Sequence, residues 1–217
     1  MKTLKIFLAS SEELKTERLV IAELITKLNY LLAEYDISIR LVKWEYVDSS
    51  MGVQHKQEDY NDYLRQCDMC VVLFWTKFGM YTEIELKTAY KLFKTDSKLK
   101  QMAVMFKYGG NVTPELRNFR KKFETDNPEL CRTFMDESHL KILFTQLIIQ
   151  SIQIMIDDEH ESLIKNVRKL QRFMAITEVD DLDYKECQYE LQSAKNELAK
   201  NESLISDLEK NGLNILE

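Results

Sequence analysis

Seven consecutive apolar residues, "MCVVLFW" from Met69 to Trp75, constrain this chain more than any other stretch. The run is far shorter than a membrane helix, and it does not alternate as a strand with one wet face would. A short, β-branched and aromatic run of this kind predicts a strand covered on both faces, which is the habit of parallel sheets flanked by helices. The flanking segments agree. "LKIFLAS" (Leu4–Ser10) predicts a first strand, and the polar "SSEEL" after it has the form of a helix cap, Ser10 or Ser11 followed by acids. Leu14, Val20 or Ile21, Leu24, Ile25, Leu28 and Leu32 then recur at helical spacing.

"ISIRLVKWEYV" (Ile37–Val47) alternates as a second strand, and "KQEDYNDYLRQ" reads as a polar helix leading into the Met69 run. A helix to about Phe93 and a strand in "KQMAVMFKY" follow. Next come a helix opened by Thr113–Pro114, a short strand in "PELCRTFMD" and an apolar helix in "ESHLKILFTQLIIQSIQIMI". Strands alternating with helices predict an α/β fold with a parallel sheet. Only 5 glycines and 2 prolines in 217 residues exclude a loop-rich all-β chain.

The sequence divides into 1–157 and a polar, helical extension over 158–217. Residues 158–217 carry 14 acidic and 8 basic side chains, so the whole formal charge of −6 lies there and the first 157 residues are balanced. Tyr184, Leu191, Leu198 and Ile205 are seven apart, with Asn201 interrupting the series. This predicts a coiled coil or helical hairpin, or the first helix of a helical-repeat array. No basic face suits nucleic acid. No run approaches the ~18 apolar residues of a membrane span, and no cleavage pattern follows the N-terminal apolar run, so a cytoplasmic chain is expected. Cys67, Cys70, Cys131 and Cys187 then read as reduced thiols.

Phosphate-binding glycine motifs are missing, and His55, His139 and His160 lack metal-ligand spacing. Cys67-x-x-Cys70 enters a buried strand rather than a helix N-terminus, where a redox thiol is activated. Carboxylates carry more. In an open α/β sheet the crevice lies beyond the carboxyl ends of the strands, so Ala9–Ser11, Trp44–Val47, Trp75–Tyr81 and Tyr108–Gly110 should share one rim. Glu83 and Glu85 begin the helix rising from it. On spacing alone both could simply favour the helix dipole, or one could face a substrate.

Four blocks, "IFLASSEELKTERLVI", "WEYVD", "YNDYLRQCDMCVVLFWTKFGMYTEIEL" and "TFMDESHLKILFTQL", resemble a TIR-like (Toll/interleukin-1 receptor homology) domain over about residues 3–155. They are closest in pattern to the bacterial branch usually fused to NTPase or tetratricopeptide-repeat regions. The resemblance implies a flavodoxin-like five-stranded parallel sheet of order 2-1-3-4-5, with the helical extension beyond it. It also implies one of two functions. The first is cleavage of NAD+, as substrate rather than cofactor, at the nicotinamide–ribose bond, by an effector of bacterial immune signalling that self-association activates. The second is a non-catalytic protein–protein interaction module.

Within Tyr81-Thr82-Glu83-Ile84-Glu85-Leu86, Glu85 falls on the family's catalytic glutamate, with Tyr81 where tryptophan is common. Ser10 and Ser11 fall on the loop lining the nucleotide. Trp44 and Glu45 lead, through Asp48, into a loop that covers the site and makes self-contacts. Trp44, Trp75 or Tyr81 would stack on the pyridinium ring. Arg18 would pair with Glu45 or Asp48, or touch a phosphate. The implied partners are further copies of the chain and a fused sensor or repeat domain, with no metal, nucleic acid or membrane.

Overall fold

A computed structural model describes residues 1–43, 62–79, 82–95, 98–175 and 182–211. Five strands form one all-parallel sheet in the order β2-β1-β3-β4-β5. They are β1 Lys2–Ser10, β2 Ile37–Lys43, β3 Met69–Phe74, β4 Gln101–Lys107 and β5 Cys131–Phe134. The helices between and beyond them are α1 Lys15–Leu32, α2 Thr82–Phe93, α3 Pro114–Asp126, α4 Glu137–Met174 and α5 Leu182–Asn211. This is the α/β parallel sheet that the strand–helix alternation predicts, in the flavodoxin-like order that the resemblance implies. Of the polar helix expected before β3, only the last turn lies among the described residues, and 62–65 is helical.

The central strands explain the missing alternation. Every residue of β3 is buried, and so are Ile6 to Ser10 of β1 and Met102 to Phe106 of β4. Register sets Ser10 beside Leu73 and Phe74 beside Phe106, so the carboxyl ends of β1, β3 and β4 open on one rim. Under that rim Phe74 stacks on Phe106 with centroids 5.7 Å apart, and Phe78 and Phe119 meet Phe74 edge-on. At the opposite end Asp68 acts as a staple. Its carboxylate accepts from Lys5 N at 2.8 Å, its N–H donates to Lys5 O, and its carbonyl accepts from Lys100 N at 3.0 Å. One residue thereby ties the starts of β3 and β4 to the first half of β1.

Local signals are realised where they are backbone chemistry. Thr113 caps α3 by accepting from Leu116 N, with Pro114 in the first turn. The serines after β1 differ from expectation. Ser11 stands at the N-cap of a single 3-10 turn, Glu12–Leu14, yet its side chain caps nothing. Both hydroxyls are committed elsewhere, as described below.

Helix α4 is long and apolar enough, by length and composition, to cross a membrane, but 44% of its most apolar window is buried inside the fold. Leu140, Phe144, Leu147 and Ile148 are buried, and Ser151 donates to Met69 Sδ at 3.2 Å and bonds Gln101, which is the habit of a core helix.

The chain clusters into two compact units that divide between Ser151 and Ile152, inside α4. Within the second unit, Ala194, Asn201 and Leu204 are the buried positions among the described residues of α5, with Leu191 and Leu198 half-buried. Asn201 therefore does not break the seam but occupies it. Its Nδ2 donates to Glu159 Oε2 at 3.0 Å, so α5 pairs with the second half of α4 as a hairpin. A polar seam residue of this sort sets register at some expense of stability. Asn201→Leu is accordingly expected to raise the stability of the hairpin by about 1 kcal/mol while loosening its register. Thermal unfolding at 222 nm and hydrogen exchange across α4 and α5 would check this; a destabilised variant with unchanged exchange would contradict it.

Candidate functional site

The rim at the carboxyl ends of β1 and β3 is held by charged side chains from the 3-10 turn after β1 and from the first turn of α1. Glu13 reaches across to the segment after β3. Its carboxylate accepts from Thr76 N at 3.0 Å, from the Thr76 hydroxyl, from Lys77 N at 3.4 Å and from Ser11 Oγ at 3.1 Å. Burial alone would raise the Glu13 carboxyl, but these donors outweigh it and hold the group below its usual value. Arg18, 2% exposed, donates to Ser10 Oγ at 2.9 Å and Ser11 O at 2.8 Å, with Glu12 3.5 Å away. Ser10 is thus an acceptor for a buried guanidinium and Ser11 a donor to Glu13, which accounts for the absence of a serine cap. Glu45 and Asp48, the partners expected for Arg18, lie outside the described residues.

Helix α2 packs against β1 and β3. Its entry is close-fitting: a Cβ added to Gly79 would stand 2.5 Å from Thr82 Oγ1 and 3.2 Å from Ser11 Cα and Cβ. Only glycine lets the segment after β3 pass between the Ser11 loop and the first turn of the helix. The buried stripe of α2 then runs Thr82, Glu85, Leu86, Ala89. That is the i, i+3, i+4, i+7 face on which a surface helix normally places apolar residues.

Glu85 sits in the middle of that stripe. It is 4% exposed while its neighbour Ile84 is 45% exposed, an inversion of the usual burial order. Among the described residues no hydrogen bond or ion pair reaches its carboxylate. Burial pushes its pKa up from 4.5 to about 7. The charge is felt in the core, where, after burial and the charge of Cys67, it helps lift the Cys70 thiol. Glu83 behaves differently: half-buried, it pairs with Lys87 at 2.7 Å, one turn on.

No protein-family model matches this chain, and no curated protein matches it.

Of the residues singled out from sequence, Ser10, Ser11 and the entry to the Glu85 helix come together at the ends of β1 and β3. Trp75 lies on the β4 side of the rim. Its Nε1 donates to Gly109 O at 3.1 Å, and Lys107 Nζ stands 4.2 Å from the ring centroid. Trp44, Glu45 and Tyr81 lie outside the described residues. The Cys67 thiol is pushed up to about 12 by burial and then by Asp68, and burial holds Cys70 well above its usual value, so neither offers a thiolate near neutral pH.

Sequence reasoning missed the acids of α1. Glu17, 4% exposed, pairs with Lys107 at 2.6 Å, tying α1 to the end of β4. It also missed a cavity of about 640 Å³ between the end of β4 and α3, lined by Trp75, Lys107, Arg117, Arg120 and Lys121 among others. Neither Glu85 nor the two serines line this cavity. Its one readable signal was the density of basic residues in "ELRNFRKKF", Glu115–Phe123.

Proposed function

We propose that this chain is a TIR-like NAD+ glycohydrolase, with Glu85 as its catalytic carboxylate. The observation that carries the reading is a buried carboxyl with no partner among the described residues, on the apolar face of α2 in the first turn of the helix that follows β3, in a parallel sheet of the kind that binds ligands beyond its carboxyl ends. A fold gains nothing in stability from an acid placed there, which makes a role in binding or chemistry the better account.

The chemistry asks for one anion. When the bond from ribose C1′ to the pyridinium nitrogen breaks, its electron pair leaves with nicotinamide, which becomes neutral without needing a proton. The ribosyl fragment is left as an oxocarbenium ion, which water attacks to give ADP-ribose and one released proton. A desolvated carboxylate near the ribose stabilises that cation far more than the same group would in water. Ser10 and Ser11, held by Arg18 and Glu13, would form the adjoining wall. Because the anion is the working form, kcat/KM is expected to rise with pH through about 7 and level above it. A profile flat between pH 5.5 and 8.5 would argue against Glu85 as the titrating group.

The setting proposed for this activity, a cytoplasmic effector of bacterial immune signalling switched on by self-association, rests on the sequence resemblance. The test is nicotinamide release from NAD+ at high protein concentration with a crowding agent, for the wild type, a forced oligomer and Glu85→Ala. Release by wild type or oligomer should fall at least about a hundredfold in the variant. Release that persists in Glu85→Ala would remove Glu85 from the mechanism. Silence from every form, the oligomer included, would point instead to the non-catalytic interaction module.

A further inference from the structure

The cavity between β4 and α3 has a composition that the fold itself does not require. Its lining holds four cations, Lys107, Arg117, Arg120 and Lys121, against one carboxylate, Glu124. Two of the four are neutralised. Lys107 pairs with Glu17 at 2.6 Å, and Arg120 pairs with Glu124 at 2.7 Å while also donating to Thr133 and covering the Phe106 ring. The other two are not. Among the described residues Arg117 donates only to the Val112 carbonyl, at 3.3 Å, and no carboxylate pairs with Lys121. Arg117 and Lys121 are four apart on α3, neighbours of like charge on one helix face, an arrangement that weakens a helix. Arg117 also stands in the first turns of α3, where the dipole disfavours a cation. An anion between them would relieve both penalties.

The rest of the cavity is shaped for a flat, partly apolar body. Phe106, Val112 and Leu116 give it an apolar wall, and Tyr108 stands at its edge 67% exposed. Gly110, at φ +80, is a position where a Cβ would come within 2.8 Å of Trp75 Nε1 and Thr76 Cγ2, so the turn after β4 is drawn tightly onto the tryptophan that lines the cavity. At about 640 Å³ the space falls within the range of small-ligand sites and is ample for a mononucleotide.

We infer that this cavity is a binding site for a nucleoside phosphate, with Arg117 and Lys121 holding the phosphate and the base lying on the apolar wall beside Tyr108. The site is separate from Glu85 and independent of the activity proposed for it.

Isothermal titration of the full chain with AMP and with inorganic phosphate tests this. AMP should bind with a Kd below about 1 mM at low salt and weaken as salt rises. The variant R117Q/K121Q should weaken AMP at least about tenfold, with its far-UV spectrum unchanged, since two charge-assisted contacts are lost. Should that variant fold poorly, Lys121→Gln alone is expected to weaken AMP by a smaller factor. Inorganic phosphate should bind more weakly than AMP, and Tyr108→Ala should narrow the gap between them. Glu85→Gln should leave AMP binding unchanged. The inference is overturned if AMP does not bind, if the charge variants bind it as wild type does, or if Glu85→Gln abolishes it. Phosphate binding as tightly as AMP would overturn the nucleoside part.

Discussion

Replacing Glu85 with glutamine is expected to make the fold more tolerant of alkali while abolishing the proposed NAD+ cleavage. In the folded chain the Glu85 carboxyl titrates near 7 instead of 4.5, because burial penalises its charged form. Between those two values the folded state holds a proton that the unfolded chain has released. Stability therefore falls as pH rises through that interval, by about 3 kcal/mol in all, and is flat again above the folded value. The contribution of Glu85 is thus fully present below pH 4.5 and lost by about pH 8. Glutamine cannot ionise, so its own cost, that of burying an amide without a partner, is the same at every pH. The decisive quantity is consequently the difference between two differences: the stability of Glu85→Gln relative to wild type should improve by about 3 kcal/mol between pH 4.5 and pH 8. Urea unfolding of both proteins at the two pH values measures it directly, and equal shifts at both would mean that Glu85 is not held as a buried acid. An acid that lowers stability at working pH, yet whose removal ends the activity, is the expected signature of a functional site.

Much of this architecture is written locally. β3 is legible because a short, β-branched and aromatic apolar run without alternation suits a strand covered on both sides, and α3 because Thr113–Pro114 is a cap whose partner lies within three residues. The rim is written non-locally. Glu13 and Glu17 look like ordinary first-turn acids, but their partners Thr76 and Lys107 are 63 and 90 residues away, beyond any spacing rule. Ser10 and Ser11 were readable as caps for the same reason: a hydroxyl before two acids has that meaning until Arg18 claims the first and Glu13 the second. Asn201 illustrates the reverse. Polarity in a heptad suggests an interruption, whereas pairing with Glu159, 42 residues earlier, makes it part of the seam. Glu85 fell between these cases. Its helix was evident, but only the packing of α2 on β1 and β3 shows that it, and not Ile84, faces inward.

The second large effect is expected at Glu13. One carboxylate joins the loop after β1 to the segment after β3, taking donors from Ser11, from both the N–H and the hydroxyl of Thr76, and from Lys77. In Glu13→Ala the two Thr76 donors and the Lys77 N–H lose a charged acceptor, and the variant should be destabilised by about 2 kcal/mol at pH 7. The pH dependence has the opposite sign to that of Glu85. A carboxyl held below its ordinary value stabilises the fold above the unfolded pKa of 4.5, and that contribution disappears as pH falls through the lowered value. Glu13→Ala should therefore narrow its deficit in strong acid, whereas Glu85→Gln gains its advantage in mild alkali. With both acids present their combined contribution is greatest near pH 4.5, the ordinary carboxyl value at which that of Glu13 is gained and that of Glu85 begins to be lost, below the range in which an ionised Glu85 would be fully available for the proposed chemistry. Because Glu13 shapes the Ser11 loop and is not assigned a part in the proposed bond cleavage, its loss should act on that activity chiefly through KM, with kcat changed less. A stability deficit at pH 7 that does not shrink toward pH 3 would show that the clamp is not a charged one.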